Sequence, residues 1–173
     1  LFSEYKFDEK LPKYITLNEE QDINVCVTTS STQHFTNNPC LRLIPSNIVL
    51  GVGCKKDTDS KHMINSLETF LQKHNIDKKA IEKIVSIDIK KEEKAIIELA
   101  TNLGVEFTTF TSEELLKAEG EFTSSSFVRS MVGVDNVCER SASLVYNNII
   151  IRKESYGGIT FAASCDMSIE YKI

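Results

Sequence analysis

The run Ile48-Val49-Leu50-Gly51-Val52-Gly53-Cys54, followed by Lys55-Lys56 and Asp57-Thr58-Asp59-Ser60, constrains this chain more than any other stretch. An uninterrupted apolar run of this length predicts a buried strand. The capping residues after it open a helix on which Met63, Ile64, Leu67, Phe70 and Leu71 recur at helical spacing. Between strand and helix, Gly51 and Gly53 predict a tight turn that lets another backbone come close. Free N–H groups at the helix start, with Lys55 and Lys56 beside them, make that mouth attractive to anions. The same residues also describe a plain strand-to-helix turn with solvated lysines.

Downstream the pattern alternates. Asp77 is read as the cap of a short helix containing Ala80, Ile81 and Ile84, and Ile84-Val85-Ser86-Ile87-Asp88 as a strand. Residues 92–103 form an amphipathic helix closed by Gly104, and residues 105–110 a further strand. Thr111 and Glu114 have the spacing of a capping box. Residues 120–126 read as a Ser/Thr-rich loop, and residues 127–132 as a helical turn or two stopped by Gly133. Asp135 is expected to cap a helix reaching Val145. Ile149-Ile150-Ile151 and Ile159-Thr160-Phe161-Ala162-Ala163 flank Tyr156-Gly157-Gly158 as a hairpin.

Upstream, all three prolines fall before Asn47. Ile23-Asn24-Val25-Cys26-Val27-Thr28 and Leu41-Arg42-Leu43-Ile44 are the strand candidates there. The expected architecture is therefore an α/β fold. Residues 47–173 form a three-layer α/β/α domain with a mixed sheet and a C-terminal β-hairpin. Residues 1–46 precede it as a short β-containing segment, the tail of a central or linker region.

At 173 residues the chain can bury a core without disulfides or a structural metal. Its net charge of −5 argues against broad nucleic-acid binding. The five cysteines, Cys26, Cys40, Cys54, Cys138 and Cys165, contain no CxxC pair and read as reduced thiols of a cytoplasmic protein. No apolar run is long enough to span a bilayer and no signal peptide is evident, so no membrane partner is expected. Starting at Leu1 rather than Met, the chain reads as a piece of a longer protein.

The glycine mouth lacks a third glycine where Lys56 stands, and it lacks the Lys-Ser/Thr ending of a Walker loop, so neither nucleotide fingerprint is present. Carboxylate binding by the lysines fits better. Cys54 beside two lysines near a helix start is in a setting that lowers a thiol pKa. His34, His62 and His74 are not at metal-ligand spacing, and no metal site is expected. Asp88 and Lys90 fall at the end of a strand, where open α/β sheets bind ligands. Alternatively, Asp88 caps the next helix and Lys90 pairs with a glutamate. Glu139 is a candidate general base or hydrogen-bond acceptor, or else a partner of the helix dipole. Gly157, Gly158 and Thr160 read as a ligand cradle or as a hairpin turn.

Taken in order, Leu50-Gly-Val-Gly-Cys-Lys-Lys56, Ser86-Ile-Asp-Ile-Lys90, Phe127-Val128 with Val132-Gly-Val-Asp-Asn-Val-Cys-Glu-Arg140, and Gly157-Gly158-Ile159-Thr160 resemble one family. It is the C-terminal part of CbiG, the cobalt-precorrin-5A hydrolase family of cobalamin biosynthesis. The stretch from Leu41 to Ala163 is also similar to CobE. The resemblance implies hydrolytic opening of a δ-lactone with release of acetaldehyde to give cobalt-precorrin-5B. It implies no cofactor beyond the cobalt of the substrate, and possible contact with other enzymes of the pathway. On this view Lys55, Lys56 and Lys90 would hold carboxylates of the modified tetrapyrrole. The N–H groups of Gly53 and Cys54 would face the lactone oxyanion, and Asp88 or Glu139 would position water or move a proton. Members of the family usually carry an N-terminal domain that this chain lacks. The alternative is a non-catalytic tetrapyrrole-binding or protein-interaction domain that presents the intermediate to another enzyme.

Overall fold

The computed structural model describes residues 1–5, 12–19, 21–32, 37–122 and 135–167. The helical turn expected at residues 127–132, its stop at Gly133, the end of the Ser/Thr-rich loop and His34 lie outside the described residues. A small parallel sheet comes first, in the order β1 (Phe2–Ser3), β2 (Asn24–Val27) and β3 (Cys40–Leu43). It joins the rest of the molecule through Asn47, whose side chain meets the Tyr5 hydroxyl at 3.1 Å and the Asp166 carbonyl at 2.8 Å. Cys26 and Cys40 form a disulfide, which corrects the expectation of five free thiols. Parallel pairing sets Cys26 opposite Arg42 and Asn24 opposite Cys40, so the two sulfurs are diagonal neighbours with Cα atoms 6.3 Å apart. Spacing along the chain carried no sign of this.

The main sheet has the order β6 (Glu106–Phe110), β5 (Ile81–Ile87), β4 (Ile48–Cys54), β8 (Ile159–Cys165), β7 (Ile149–Tyr156). β4, β5 and β6 run parallel, while β8 is antiparallel to both β4 and β7. Helices α1 (Ser60–Lys73) and α2 (Lys94–Leu103) pack on one face, α3 (Ser112–Leu116) follows β6, and α4 (Val137–Val145) covers the other face. The three layers thus follow the expected α/β class. Alternation along β4 serves both layers at once. Ile48, Leu50 and Val52 enter the core with Met63, Leu67, Phe70, Ile96 and Leu99. Val49 packs with Val85 and Ala142 on the α4 side.

Several local expectations hold. Asp59 caps α1 by accepting from the His62 N–H, Gly104 closes α2 in the left-handed conformation, and Thr111 with Glu114 forms the capping box. Others are corrected. Asp77 caps only the short 3-10 turn Lys78–Ala80, because Ile81 and Ile84 already belong to β5. The cap of α4 is Asn136, held at φ 50° with its side chain accepting from the Glu139 N–H. Asp135 instead pairs with Arg140 at 2.9 Å.

The glycines are the main correction. Both lie inside β4 and not in a turn. A Cβ on Gly51 would sit 1.8 Å from the Cys138 carbonyl oxygen, and one on Gly53 would sit 2.6 Å from Thr160 Oγ1. They are required because α4 and β8 lie directly against them. Small residues line the same contact. Ala142 and Ser164 are buried, and the Ser164 hydroxyl donates to the Ala142 carbonyl at 2.8 Å.

At the other end of the hairpin, Glu154 accepts from Lys73 at 2.7 Å, His74 at 3.1 Å and the Tyr156 hydroxyl at 2.6 Å. These bonds, that of Lys73 foremost, hold its carboxyl down to about 2 from the ordinary 4.5. A carboxylate depressed on folding contributes stability above its unfolded value and loses it as pH falls toward the folded one. Glu154→Gln is therefore expected to lower the melting temperature at pH 6, with the gap to the parent closing between about pH 4.5 and 2. Thermal melts across that range would refute the assignment if the gap were constant. Gly51→Ala is expected to cost about 3 kcal/mol in denaturant unfolding, since a backbone carbonyl has to move. A loss below about 1 kcal/mol would show that the helix can retreat freely.

Candidate functional site

A cavity of about 500 Å³ opens where β4 and β5 end, which is the crevice position at which open α/β sheets hold ligands. The topology creates it. The ladder between β4 and β5 stops at Gly51 opposite Val85, while β4 stays paired with β8 as far as Cys54. Beyond Gly51 the Val52 carbonyl accepts from the Ser86 hydroxyl at 2.7 Å, so even-numbered residues of β4 turn their main-chain groups toward β5. By that alternation the Cys54 amide faces the crevice. The Gly53 carbonyl, which accepts from Thr160 Oγ1 at 3.3 Å, faces β8.

The structure brings Gly53, Cys54, Lys55, Lys56, Lys90, Gly158 and Thr160 together around this cavity. It leaves the other expected residues outside. Gly51 is sealed beneath Cys138, and Gly157 faces His62. Asp88 is exposed, and its carboxylate accepts from the neighbouring Ile89 N–H at 2.8 Å. Glu139 is fully buried and accepts from the Lys153 N–H at 2.6 Å. Neither carboxylate lines the cavity. Val137, Ile87 and Ile89 give it an apolar wall below a rim of lysines, the combination expected for a large amphiphilic anion.

The rim is organised by Glu93, the glutamate that the alternative reading of Lys90 called for, though its hold on the Thr58 backbone was not foreseen. Its side chain is almost buried and accepts from the Thr58 N–H at 3.2 Å and from Lys90 Nζ at 3.1 Å. One carboxylate thus ties the turn bearing Lys55 and Lys56 to the turn bearing Lys90. The start of α1 is not an open anion site, because Asp59 already takes the His62 N–H at 2.7 Å. Lys55 lies across the hairpin tip, where Gly158 (φ 96°) has no side chain to obstruct it. A Cβ there would come within 3.2 Å of Lys55 Cε.

Lys153 went unread. It follows three isoleucines and an arginine on β7, at the second of two irregularities in the pairing with β8, and lines the cavity. Cys54 reverses an expectation: burial raises its thiol pKa, and the nearby charge of Lys90 offsets this only in part. Cys138, fully buried at the start of α4, is pushed up to about 11 by burial. Both are neutral thiols at neutral pH.

With that geometry in place, the chain can be set beside known proteins. The family model described as Cobalamin synthesis G C-terminus matches residues 48–164. The chain belongs to that family. The matched region runs from β4 through β8 and contains every residue that lines the cavity. The chain is 35% identical over 126 residues to a protein named Cobalt-precorrin-5A hydrolase from Salmonella typhimurium, covering 73% of the chain and 36% of that protein. It is 24% identical over 122 residues to one of the same name from Priestia megaterium, covering 69% of the chain and 32% of that protein. The chain thus spans about a third of the length of these curated relatives. In structure it is similar to CobE, described as a protein from the cobalamin (vitamin B12) biosynthetic pathway, with TM-score 0.63 and 24% identity, over 71% of this chain and 92% of CobE. That similarity bears out the fold. Membership of the family places the chain in cobalamin biosynthesis. No helix among the described residues is long and apolar enough to cross a membrane.

A neutral thiol is a slow nucleophile. Iodoacetamide at pH 7.5 is accordingly expected to alkylate Cys54 at least about threefold more slowly than free cysteine, followed by peptide mass spectrometry. Alkylation faster than free cysteine would mean that the lysines, and not burial, govern this thiol.

Proposed function

We propose that this chain is the C-terminal part of a cobalt-precorrin-5A hydrolase and supplies the half of the site that holds the substrate. One observation carries the reading. The cavity in the family-defining region joins an apolar wall to four lysines, Lys55, Lys56, Lys90 and Lys153. A cobalt-precorrin is a flat, largely apolar macrocycle edged with acetates and propionates, and it meets both features. Lys55, Lys56 and Lys153 receive carboxylates as point charges. Lys90, already set by Glu93, and the Cys54 amide are the donors for the lactone carbonyl oxygen, which gains charge on attack by water.

Among the described residues, no Asp, Glu or His lines the cavity. On this reading the group that activates water for lactone opening and acetaldehyde release is supplied by another part of the complete hydrolase, in keeping with curated relatives about three times the length of the matched region. Asp88 and Glu139 lie outside the lining, and this reading assigns neither of them proton transfer. The chain contributes no cofactor of its own and works in the cytoplasm alongside the other enzymes of the pathway. The second reading, a module that only presents the corrin to another enzyme, shares the binding step and differs in that a separate enzyme, and not the complete protein to which this chain belongs, opens the lactone.

The test is to titrate the chain with cobalt-precorrin-5A and to assay acetaldehyde, alone and as part of the complete protein. The chain alone is expected to bind without releasing acetaldehyde, and the complete protein to release it. Replacing Lys55 and Lys56 together by Glu is expected to weaken binding at least about tenfold at low salt, less at high salt. Acetaldehyde from the chain alone would overturn the half-site. Unchanged affinity in the double variant would remove the lysine rim.

A further inference from the structure

β7 leaves its regular pairing where it passes the cavity. Ile151 is opposite Ala163 and Glu154 is opposite Phe161, so Arg152 and Lys153 together span the place of the single residue Ala162. A bulge of this kind breaks the alternation of side chains and takes a main-chain N–H off the ladder. Burying such an N–H without an acceptor is costly. Here the acceptor is the side chain of Glu139, one helical position beyond Cys138 on α4, at 2.6 Å from the Lys153 nitrogen. The other carboxylate oxygen lies 3.5 Å from Arg152 Nη1, and that guanidinium also donates to the Glu121 carbonyl. Glu139 is fully buried. A carboxylate in that position is destabilising unless its partners compensate it, and it receives them from the two bulge residues. Beyond the bulge the Lys153 side chain lines the cavity and its charge is felt at Cys138.

We infer that Glu139 is a positioning residue: it holds the β7 bulge open so that the Lys153 ammonium enters the cavity and receives a carboxylate of the bound macrocycle. This rests on the proposed binding of a polycarboxylate in the cavity. It gives the buried acid of α4 a role without proton transfer. It also accounts for a lysine at the cavity on a strand whose Ile149 and Ile151 pack on opposite faces of the sheet.

A thermodynamic cycle separates positioning from fold maintenance. The probe is cobyrinic acid, a cobalt corrin with free acetate and propionate side chains, titrated into the parent, Lys153→Ala, Glu139→Ala and the double variant. Lys153→Ala is expected to weaken binding about tenfold, as loss of one charge-assisted hydrogen bond does. Glu139→Ala is expected to match it, and the double variant to be no worse than either single one. Glu139→Gln keeps an acceptor for the Lys153 N–H and is expected to bind within about twofold of the parent. If Glu139→Ala does not fold by circular dichroism, Glu139→Asp, which draws the carboxylate back by one methylene, takes its place. A loss at Glu139 that persists undiminished in the Lys153→Ala background would overturn the inference while leaving the lysine rim intact. A parent that does not bind cobyrinic acid, or that binds it no better than the Lys55/Lys56 double variant, would overturn the proposed function itself.

Discussion

The structure depends on how closely α4 lies against β4. A helix normally keeps its distance from a sheet by the width of two side-chain layers. At Gly51 that layer is missing, and the Cys138 carbonyl rests on the strand backbone. Ala142, Ser141 and Ser164 preserve the closeness along the rest of the contact. Because α4 is seated so low, its first residues, Val137 and Cys138, become the cavity wall, and Glu139 comes within reach of β7. A single absent methyl group thus fixes the position of a helix, a cavity wall and a strand bulge.

The sequence made the layer order legible because periodicity reports burial directly. β4, α1, α2, β6 and the C-terminal hairpin all show the repeat of the surface they bury. It failed where one residue type serves two ends. Glycine in an apolar run signals either a turn or a close approach, and only a neighbour's position decides between them. Gly51 and Gly53 belong to the second kind, Gly158 to the first. Asp135 and Asn136 are both good caps; the choice fell to the one whose left-handed backbone the chain could use, leaving the other for Arg140. Lys153 was hidden by the bulge, since strict alternation does not foresee a shift in register. The Cys26–Cys40 bond was hidden for a related reason, because parallel pairing across a loop leaves no mark in local spacing.

The site shows the same division. Its location at the end of the first long strand followed from the order of elements, and most of the anticipated contact residues line one cavity. The two carboxylates expected as chemical actors do not line the cavity, because an acid in the first turn of a helix reads the same whether it faces a ligand or a neighbouring strand. Glu139 faces a strand, and Asp88 faces its own backbone and solvent.

Glu93 gives the cavity a built-in counter-ion. The ammonium groups around it would repel one another if left bare, yet behind the lining stands one acid, Glu93, shared between Lys90 and the backbone at Thr58. A molecule bearing acids around its whole perimeter can satisfy the remaining cations together without displacing it. On the proposed binding of a polycarboxylate, the pairing of Lys90 with Glu93 would leave Lys55, Lys56 and Lys153 as the cations for a guest to satisfy, a division set by an acid that belongs to the protein.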